Sequence, residues 1–137
     1  MTPLFADTSF YIAVVSERDA YHERAVLATK RYRRKQVTTE YVLVETGNWM
    51  AKSDRPAFMQ LLAELHADPN TTIVPASRDV FDRACRLYGE RLDKEWSLTD
   101  CTSILLMQDQ GLGEALTTDH HFEQAGLRAL LREPSPL

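Results

Sequence analysis

The chain has 137 residues, of which 44% are hydrophobic and 26% charged, which is typical of one globular domain and excludes a disordered or fibrous protein. Its 20 acidic and 16 basic residues give a net charge of −4, which argues against broad, non-specific coating of DNA. No run of ~20 apolar residues predicts a membrane span, no signal segment precedes the first apolar run, and the two cysteines lack metal-ligand spacing, so we expect a cytoplasmic protein.

Short apolar runs alternate with helical patterns through the first half of the chain. Leu4–Ala6 predicts a buried strand, and residues 9–15 predict a helix directly after it. The next predicted elements are a helix at about 21–35, a brief strand or turn at 37–39 and a helix at about 40–52. Residues 53–56 read Ser-Asp-Arg-Pro, a capping side chain before an early proline that predicts another helix start.

The second half of the chain continues the alternation. A β-branched strand is predicted at 71–74, and then a helix capped by Ser77. The buried side of this helix is predicted to carry five residues, which are Val80, Phe81, Ala84, Leu87 and Tyr88. The remaining predictions are a helix at 97–110 ended by glycines, a strand at 115–117, a short helix at 121–125 and a final strand at 127–131.

These elements predict one domain over residues 1–132, followed by a frayed tail at 133–137. Strands that alternate with longer helices favour a central, mainly parallel sheet with helices on both faces, which is a three-layer α/β/α sandwich. In such folds the ligand site lies beyond the carboxyl ends of the strands.

Four carboxylates stand out because each follows or interrupts an apolar stretch, where an unpaired acid is costly. They are Asp7, Glu45, Asp100 and Asp119. Asp7 and Asp119 come just after predicted strands, whereas Glu45 is predicted to face partly inward on its helix, with Tyr41 and Trp49 on the same side. Acids in such places favour a bound cation, and a divalent metal prefers oxygen ligands.

Each acid also has an ordinary structural explanation. Asp7 and Asp119 are suited to capping the helices that follow them. Asp100 follows Ser97 at the spacing of a capping box, with Asp in place of Glu. Glu45 could lie at a solvated edge or pair with Lys52.

Four segments together resemble the PIN-domain ribonucleases over nearly the whole chain. The segments are FADTS at 5–9, VLVE at 42–45, SLTDC at 97–101, and LTTDHHF at 116–122 before AGL at 125–127. The resemblance implies an α/β/α sandwich and an endoribonuclease that depends on Mg²⁺ or Mn²⁺ and acts on RNA. Many relatives of this size are similar to the toxin of a toxin-antitoxin pair of the VapC type, which implies an antitoxin protein as a partner and a possible homodimer.

The resemblance carries Asp7, Glu45, Asp100 and Asp119 over as the acidic cluster. We expect Asp7 and Asp100 to bind metal directly, Glu45 to act through water, and Asp119 to be the weakest or second-metal ligand. The hydroxyls of Thr8, Ser9 and Thr118 are expected to support these ligands. His120 is a departure, because a basic Arg or Lys is common at this place in the family.

Two other patterns are less specific. Residues 30–35 place five positive charges around Tyr32, which suits RNA phosphates or an acidic partner but also the carboxyl end of a helix. The pair His120 and His121 lacks the further ligands that a zinc site requires.

Two alternatives to a nuclease stay open. A phosphatase with an aspartyl nucleophile would need a second Asp where Ser9 stands. A catalytically silent PIN-like module would bind RNA or protein without cutting, although all four acids are present.

Overall fold

The computed structural model describes residues 1–134, and residues 135–137 lie outside the described part. The end of the predicted tail therefore lies beyond it, whereas Glu133 is described and forms an ion pair with Arg128. The strands are β1 (Leu4–Ala6), β2 (Gln36–Thr39), β3 (Thr71–Val74), β4 (Glu114–Leu116) and β5 (Arg128–Ala129). The helices are α1 (Thr8–Val15), α2 (His22–Arg31), α3 (Glu40–Met50), α4 (Arg55–Ala67), α5 (Arg78–Glu90), α6 (Leu98–Gln110) and α7 (His121–Gln124), with a 3₁₀ turn at Leu130–Arg132.

The five strands form one parallel sheet in the order β3-β2-β1-β4-β5. Strand β1 is central, and its three residues are all fully buried. Because successive side chains of a strand point to opposite faces, both faces of the sheet are covered. The predicted three-layer α/β/α architecture is therefore confirmed.

The strand order places a topological switch point between β1 and β4. The chain passes from β1 to β2 on one side, and β4 lies on the other side of β1. Ala6 is paired with Leu116, so Asp7 and Thr117 follow directly at the carboxyl ends of neighbouring strands. Crevices at such points are where open α/β sheets bind ligands.

Four helices begin at a side-chain cap. The caps are Thr39, Asp54, Ser77 and Ser97, whose oxygens accept hydrogen bonds from backbone N–H groups of the first turn. The helix start predicted at 53–56 is confirmed, because Asp54 caps α4 and proline occupies its first turn. These polar side chains thus accept hydrogen bonds from N–H groups of the first helical turn, which have no partner within the helix itself.

The helix predicted at 21–35 is too long, because α2 ends at Arg31. Arg34 instead donates to the carbonyl of Thr2 at 3.0 Å and pairs with Glu114 at 2.8 Å. This guanidinium ties the segment before β2 to the start of β4, so part of the basic run at 30–35 has a structural role.

Two further predictions are wrong. The final strand predicted at 127–131 is only two residues long, and the chain turns into the 3₁₀ segment at Leu130. Phe81 and Tyr88 of α5 are 42% and 55% exposed, not buried. Helix α5 packs on α6 mainly around Ala84. The apolar pattern identifies the apolar face of α5, but it does not show how much of that face α6 covers.

Across residues 1–134, we find no helix that is both long enough and apolar enough to cross a bilayer.

Two glycines provide a matched stability test. Gly111 ends α6 with a left-handed φ of 66°, so Gly111→Ala should lower the free energy of unfolding by about 1 kcal/mol. Gly89 lies in the last turn of α5, where an added Cβ would meet nothing within 4 Å, so Gly89→Ala should raise it by a few tenths to about 1 kcal/mol. Urea unfolding followed by circular dichroism would measure both, and the same sign for both variants would contradict this account.

Candidate active site

Asp7 lies at the carboxyl end of β1 and is only 3% exposed. It occupies the N-cap position of α1, but its side chain makes no capping hydrogen bond. Its Oδ2 instead accepts hydrogen bonds from the hydroxyls of Ser9 and Thr117, each at 2.9 Å. The capping explanation for this acid is therefore wrong, because its hydrogen-bonding capacity is directed at the switch point.

Backbone N–H groups orient both of these hydroxyls. The N–H of Thr118 donates to Ser9 Oγ at 2.9 Å, and the N–H of Asp119 donates to Thr117 Oγ1 at 3.0 Å. Each hydroxyl has one proton and two lone pairs, so accepting from the backbone leaves its proton available for the carboxylate. The two hydroxyl oxygens also lie 3.0 Å from each other. The loop after β4 thus holds the Asp7 carboxylate from one side and α1 holds it from the other.

Burial raises the pKa of Asp7 from its ordinary value of 3.8 to about 7, and the negative charge of Asp100 adds to the rise. The hydrogen bonds from Thr117 and Ser9 act in the opposite direction. Desolvation dominates, because a carboxylate removed from water loses more than two hydroxyl donors restore. A cation at this place would favour the charged form.

Asp100 serves as part of a helix cap and faces a histidine. Its Oδ2 accepts from the N–H of Ser97 at 3.0 Å while Ser97 Oγ accepts from the N–H of Asp100 at 2.9 Å, so the predicted capping box is present. The same Oδ2 lies 2.9 Å from His121 Nδ1. Burial and the nearby charge of Asp119 raise the pKa of Asp100, while the bond from Ser97 and His121 lower it.

Asp119 joins this group through His121. Its Oδ1 accepts from the N–H of His121 at 2.9 Å and lies 3.3 Å from His121 Nδ1, although the N-cap position of α7 belongs to His120. The Nδ1 of His120 is 3.7 Å away from the same oxygen. The imidazole of His121 therefore bridges Asp100 and Asp119, which come from two different helix starts.

Glu45 is partly buried on α3, as predicted. Within residues 1–134 it forms neither a hydrogen bond nor an ion pair, so the proposed pair with Lys52 is absent. Helix α3 packs against α1 and α6, which carry Ser9 and Asp100. Thr117 links Asp7 to the backbone of Asp119, and His121 links Asp119 to Asp100. The membership of Glu45 in the same site stays a prediction.

The predicted supporting hydroxyls have different roles. Ser9 contacts Asp7 as described, whereas Thr8 Oγ1 donates to the carbonyl of Val42 at 3.4 Å and so links α1 to α3. Thr118 contributes through its backbone N–H. Sequence reasoning missed Thr117 and His121, although Thr117 directly follows β4 and His121 had been considered only as a zinc ligand.

The donor set suits a divalent cation. Asp7 and Asp100 are buried acids with raised pKa values. The negative charge of Asp100 raises the pKa of Asp7, and the negative charge of Asp119 raises the pKa of Asp100. Ligand atoms of Asp119, His120 and His121 also lie within 4.8 Å of one another. Oxygen ligands suit Mg²⁺ or Mn²⁺, and nearby imidazole nitrogens are better tolerated by Mn²⁺ than by Mg²⁺.

Comparison with known proteins gives consistent matches. A family model described as PIN domain matches residues 4–127. The 23S rRNA-specific endonuclease VapC20 of Mycobacterium tuberculosis, from strains CDC 1551 / Oshkosh and ATCC 25618 / H37Rv, is 24% identical over 123 residues, covering 90% of this chain and 94% of the relative. The crystal structure of the M. tuberculosis VapC20, described as a Sarcin-Ricin loop cleaving toxin, superposes with a TM-score of 0.83 at 24% identity and covers 90% of this chain and 95% of that one.

The raised pKa of Asp7 predicts that the free energy of unfolding depends on pH in an unusual way when a chelator removes metal ions. Between the ordinary pKa of 3.8 and the folded value of about 7, the folded protein binds this proton more strongly than the unfolded chain does. The free energy of unfolding should therefore fall by up to about 4 kcal/mol as the pH rises from about 4 to about 7, and then level off.

Asp7→Asn should remove most of this slope and melt at a higher temperature than the wild type at pH 8. Thermal melts at several pH values in EDTA would measure the difference between the two proteins. Acids with lowered pKa values, such as Asp93 at about 2, act below pH 4 and do not mask it. Parallel melting profiles for the two proteins would contradict the assignment of a buried, destabilised carboxylate.

Proposed function

This chain belongs to the PIN domain family, and from that premise we propose that it is a divalent-metal-dependent endoribonuclease. The observation that carries the proposal is the buried Asp7 at the β1/β4 switch point, held beside Asp100 with a pKa raised to about 7. A buried acid with a raised pKa does not stabilise the folded state in its charged form, and such groups are concentrated at binding and catalytic sites. The catalytic residues of the proposal are Asp7, Glu45, Asp100 and Asp119.

These residues would hold Mg²⁺ or Mn²⁺, which when bound makes water more acidic and neutralises charge on a phosphate. Asp7 and Asp100 would be the direct ligands, and Asp119 the weaker one. Ser9 and Thr117 fix the direction of the Asp7 carboxylate. Water attacks the phosphorus and releases a proton to solvent, the bond from phosphorus to one bridging oxygen breaks, and that oxygen takes up a proton from solvent.

The histidine and the glutamate have separate parts in this proposal. His121 holds Asp100 and Asp119 at a fixed separation by facing both carboxylates. Glu45 would orient the attacking water from α3. No side chain needs to act as a nucleophile, which agrees with Ser9 standing where an aspartyl phosphatase needs its second acid.

The names of the relatives suggest which RNA to test first. Because the M. tuberculosis proteins are called 23S rRNA-specific, we propose structured ribosomal RNA as the first substrate, with single-stranded RNA as the comparison. A cytoplasmic location is part of the proposal because ribosomal RNA is found there.

Asp7→Asn and Asp100→Asn should each reduce RNA cleavage at least about 100-fold, because each removes ligand charge and nearly preserves shape. Gel electrophoresis of labelled RNA incubated with Mg²⁺, Mn²⁺ or EDTA would measure it. Asp82→Asn is the matched control, because Asp82 is exposed on α5 and its loss changes net charge equally. Circular dichroism should show the same fold for all variants.

Two outcomes would contradict the nuclease proposal. Wild-type cleavage rates in both variants would remove the two aspartates from the catalytic site. A wild-type protein that binds RNA but cuts none with either metal would favour the alternative, a catalytically silent PIN-like binding module.

We also propose that the protein is the toxin of a toxin-antitoxin pair. An apolar groove between α3 and α4 supports binding of a protein partner, since Val44 is 62% exposed there beside Leu43, Phe58 and Leu62. An arginine of that partner would suit the acidic cluster, because a guanidinium binds carboxylates in a bidentate manner. A homodimer is a further proposal, which light scattering of the purified protein would test.

Overexpression should stop bacterial growth, and Asp7→Asn should restore it. Growth curves after induction would measure both, with immunoblots to match expression levels. Co-expression of a small protein encoded beside this chain should also restore growth and form a complex that no longer cuts RNA. Normal growth with abundant, active wild-type nuclease would contradict the toxin assignment.

A further inference from the structure

A shallow cavity of about 460 Å³, widely open to solvent, lies beyond the carboxyl ends of β2 and β3. It is lined by Tyr41, Ala76, Ser77, Arg78 and Phe81, which come from the first turns of α3 and α5 and the loop before α5. Neither the acidic cluster nor the family match assigns it a function.

The cavity lies at the same edge of the sheet as the proposed catalytic acids. Thr39 is paired with Val74, and both residues end their strands, just as Ala6 ends β1 before Asp7. Neighbouring strands are ~4.8 Å apart, so β3 lies roughly 10 Å from β1 along this edge. Tyr41 is also one helical turn before Glu45 on the same side of α3.

Hydrogen bonds with two side chains of α3 hold the loop that lines this cavity. The hydroxyl of Tyr41 donates to the carbonyl of Ser77 at 3.0 Å and accepts from its N–H at 3.1 Å. The carboxylate of Glu40 accepts from the N–H of Ala76 at 2.6 Å. The loop after β3 is therefore fixed to α3, and the ring of Tyr41 is held in place before any ligand arrives.

The lining combines aromatic rings with a free positive charge. Phe81 is 42% exposed, Tyr41 is partly buried, and Arg78 is exposed. Across residues 1–134 the side chain of Arg78 makes no hydrogen bond and no ion pair. Aromatic faces stack on bases of any sequence, and an arginine binds phosphate oxygens through its N–H donors.

We propose that this cavity is a subsite for one unpaired nucleotide of the RNA substrate, with the base against Phe81 and Tyr41 and a phosphate at Arg78. The proposal rests on the proposed nuclease function. It adds which form of RNA would bind beside the catalytic acids. A base held in a duplex cannot present its face to the rings, so the subsite favours a loop or single strand next to the cleaved bond. The basic run at 30–35 cannot replace Arg78, because it precedes β2 and lies at the opposite edge of the sheet.

Equilibrium binding of a fluorescein-labelled, single-stranded RNA oligonucleotide would test the subsite. Fluorescence anisotropy in EDTA measures binding without cleavage. Phe81→Leu and Arg78→Gln should each weaken binding at least about fivefold. Arg78→Gln should also lower the slope of log K against log salt concentration by about 0.7, as expected for one lost phosphate contact with a single strand.

Two matched controls lie on the same helix. Arg86→Gln removes the same charge, and Tyr88→Leu removes an exposed aromatic ring, but both residues are outside the cavity. Each control should bind within about twofold of wild type, and Phe81→Leu should not alter binding of a fully paired duplex. Equal weakening by Arg78→Gln and Arg86→Gln, or wild-type binding by Phe81→Leu, would overturn the subsite.

The same oligonucleotide separates this inference from the proposed nuclease activity. If wild type cuts it with Mg²⁺ or Mn²⁺ and Phe81→Leu leaves KM unchanged, the subsite is wrong while the nuclease stands. If no RNA is cut but the binding pattern is as expected, the subsite stands and the nuclease proposal fails. If Phe81→Leu instead loses a co-purifying protein and keeps its RNA affinity, the cavity is a protein-docking site and the subsite is overturned.

Discussion

The carboxylate of Asp7 is the interaction on which the rest of the site depends. It ends the fully buried central strand, and the hydroxyls of Ser9 and Thr117 hold it from both sides of the switch point. Burial alone would favour its neutral form. The parallel sheet thus provides a fixed position for an acid that is unfavourable there without a cation, and Asp100, whose pKa is also raised by burial, shares this disadvantage.

Asp100 shows that a structural role and a functional one are compatible in a single side chain. One oxygen accepts from the N–H of Ser97 and also faces His121. The capping box fixes the start of α6, so the carboxylate points to the site without further support from packing. A residue of this kind combines helix stability with precise placement.

The sequence predicts the sheet, the helix starts and the position of Asp7 at the end of a buried strand because these follow from local patterns. Apolar triplets, capping side chains and glycines carry that information within a few residues. Thr117 and His121 were missed because their importance depends on contacts between β4, α6 and α7, which no local pattern contains. Phe81 and Tyr88 were wrongly predicted to be buried for a related reason, since helical periodicity marks an apolar face but not the extent of its cover.

The hydrogen bond between Asp7 and Thr117 joins residues 110 positions apart. During synthesis Asp7 emerges long before β4, so its carboxylate has only the nearby hydroxyl of Ser9 as a partner until Thr117 has been made. Contacts of such long sequence separation also form late in refolding, because loop closure must precede them. A growing chain on the ribosome therefore lacks the assembled contacts of Asp7, Asp100 and Asp119 until α6, β4 and α7 have all emerged.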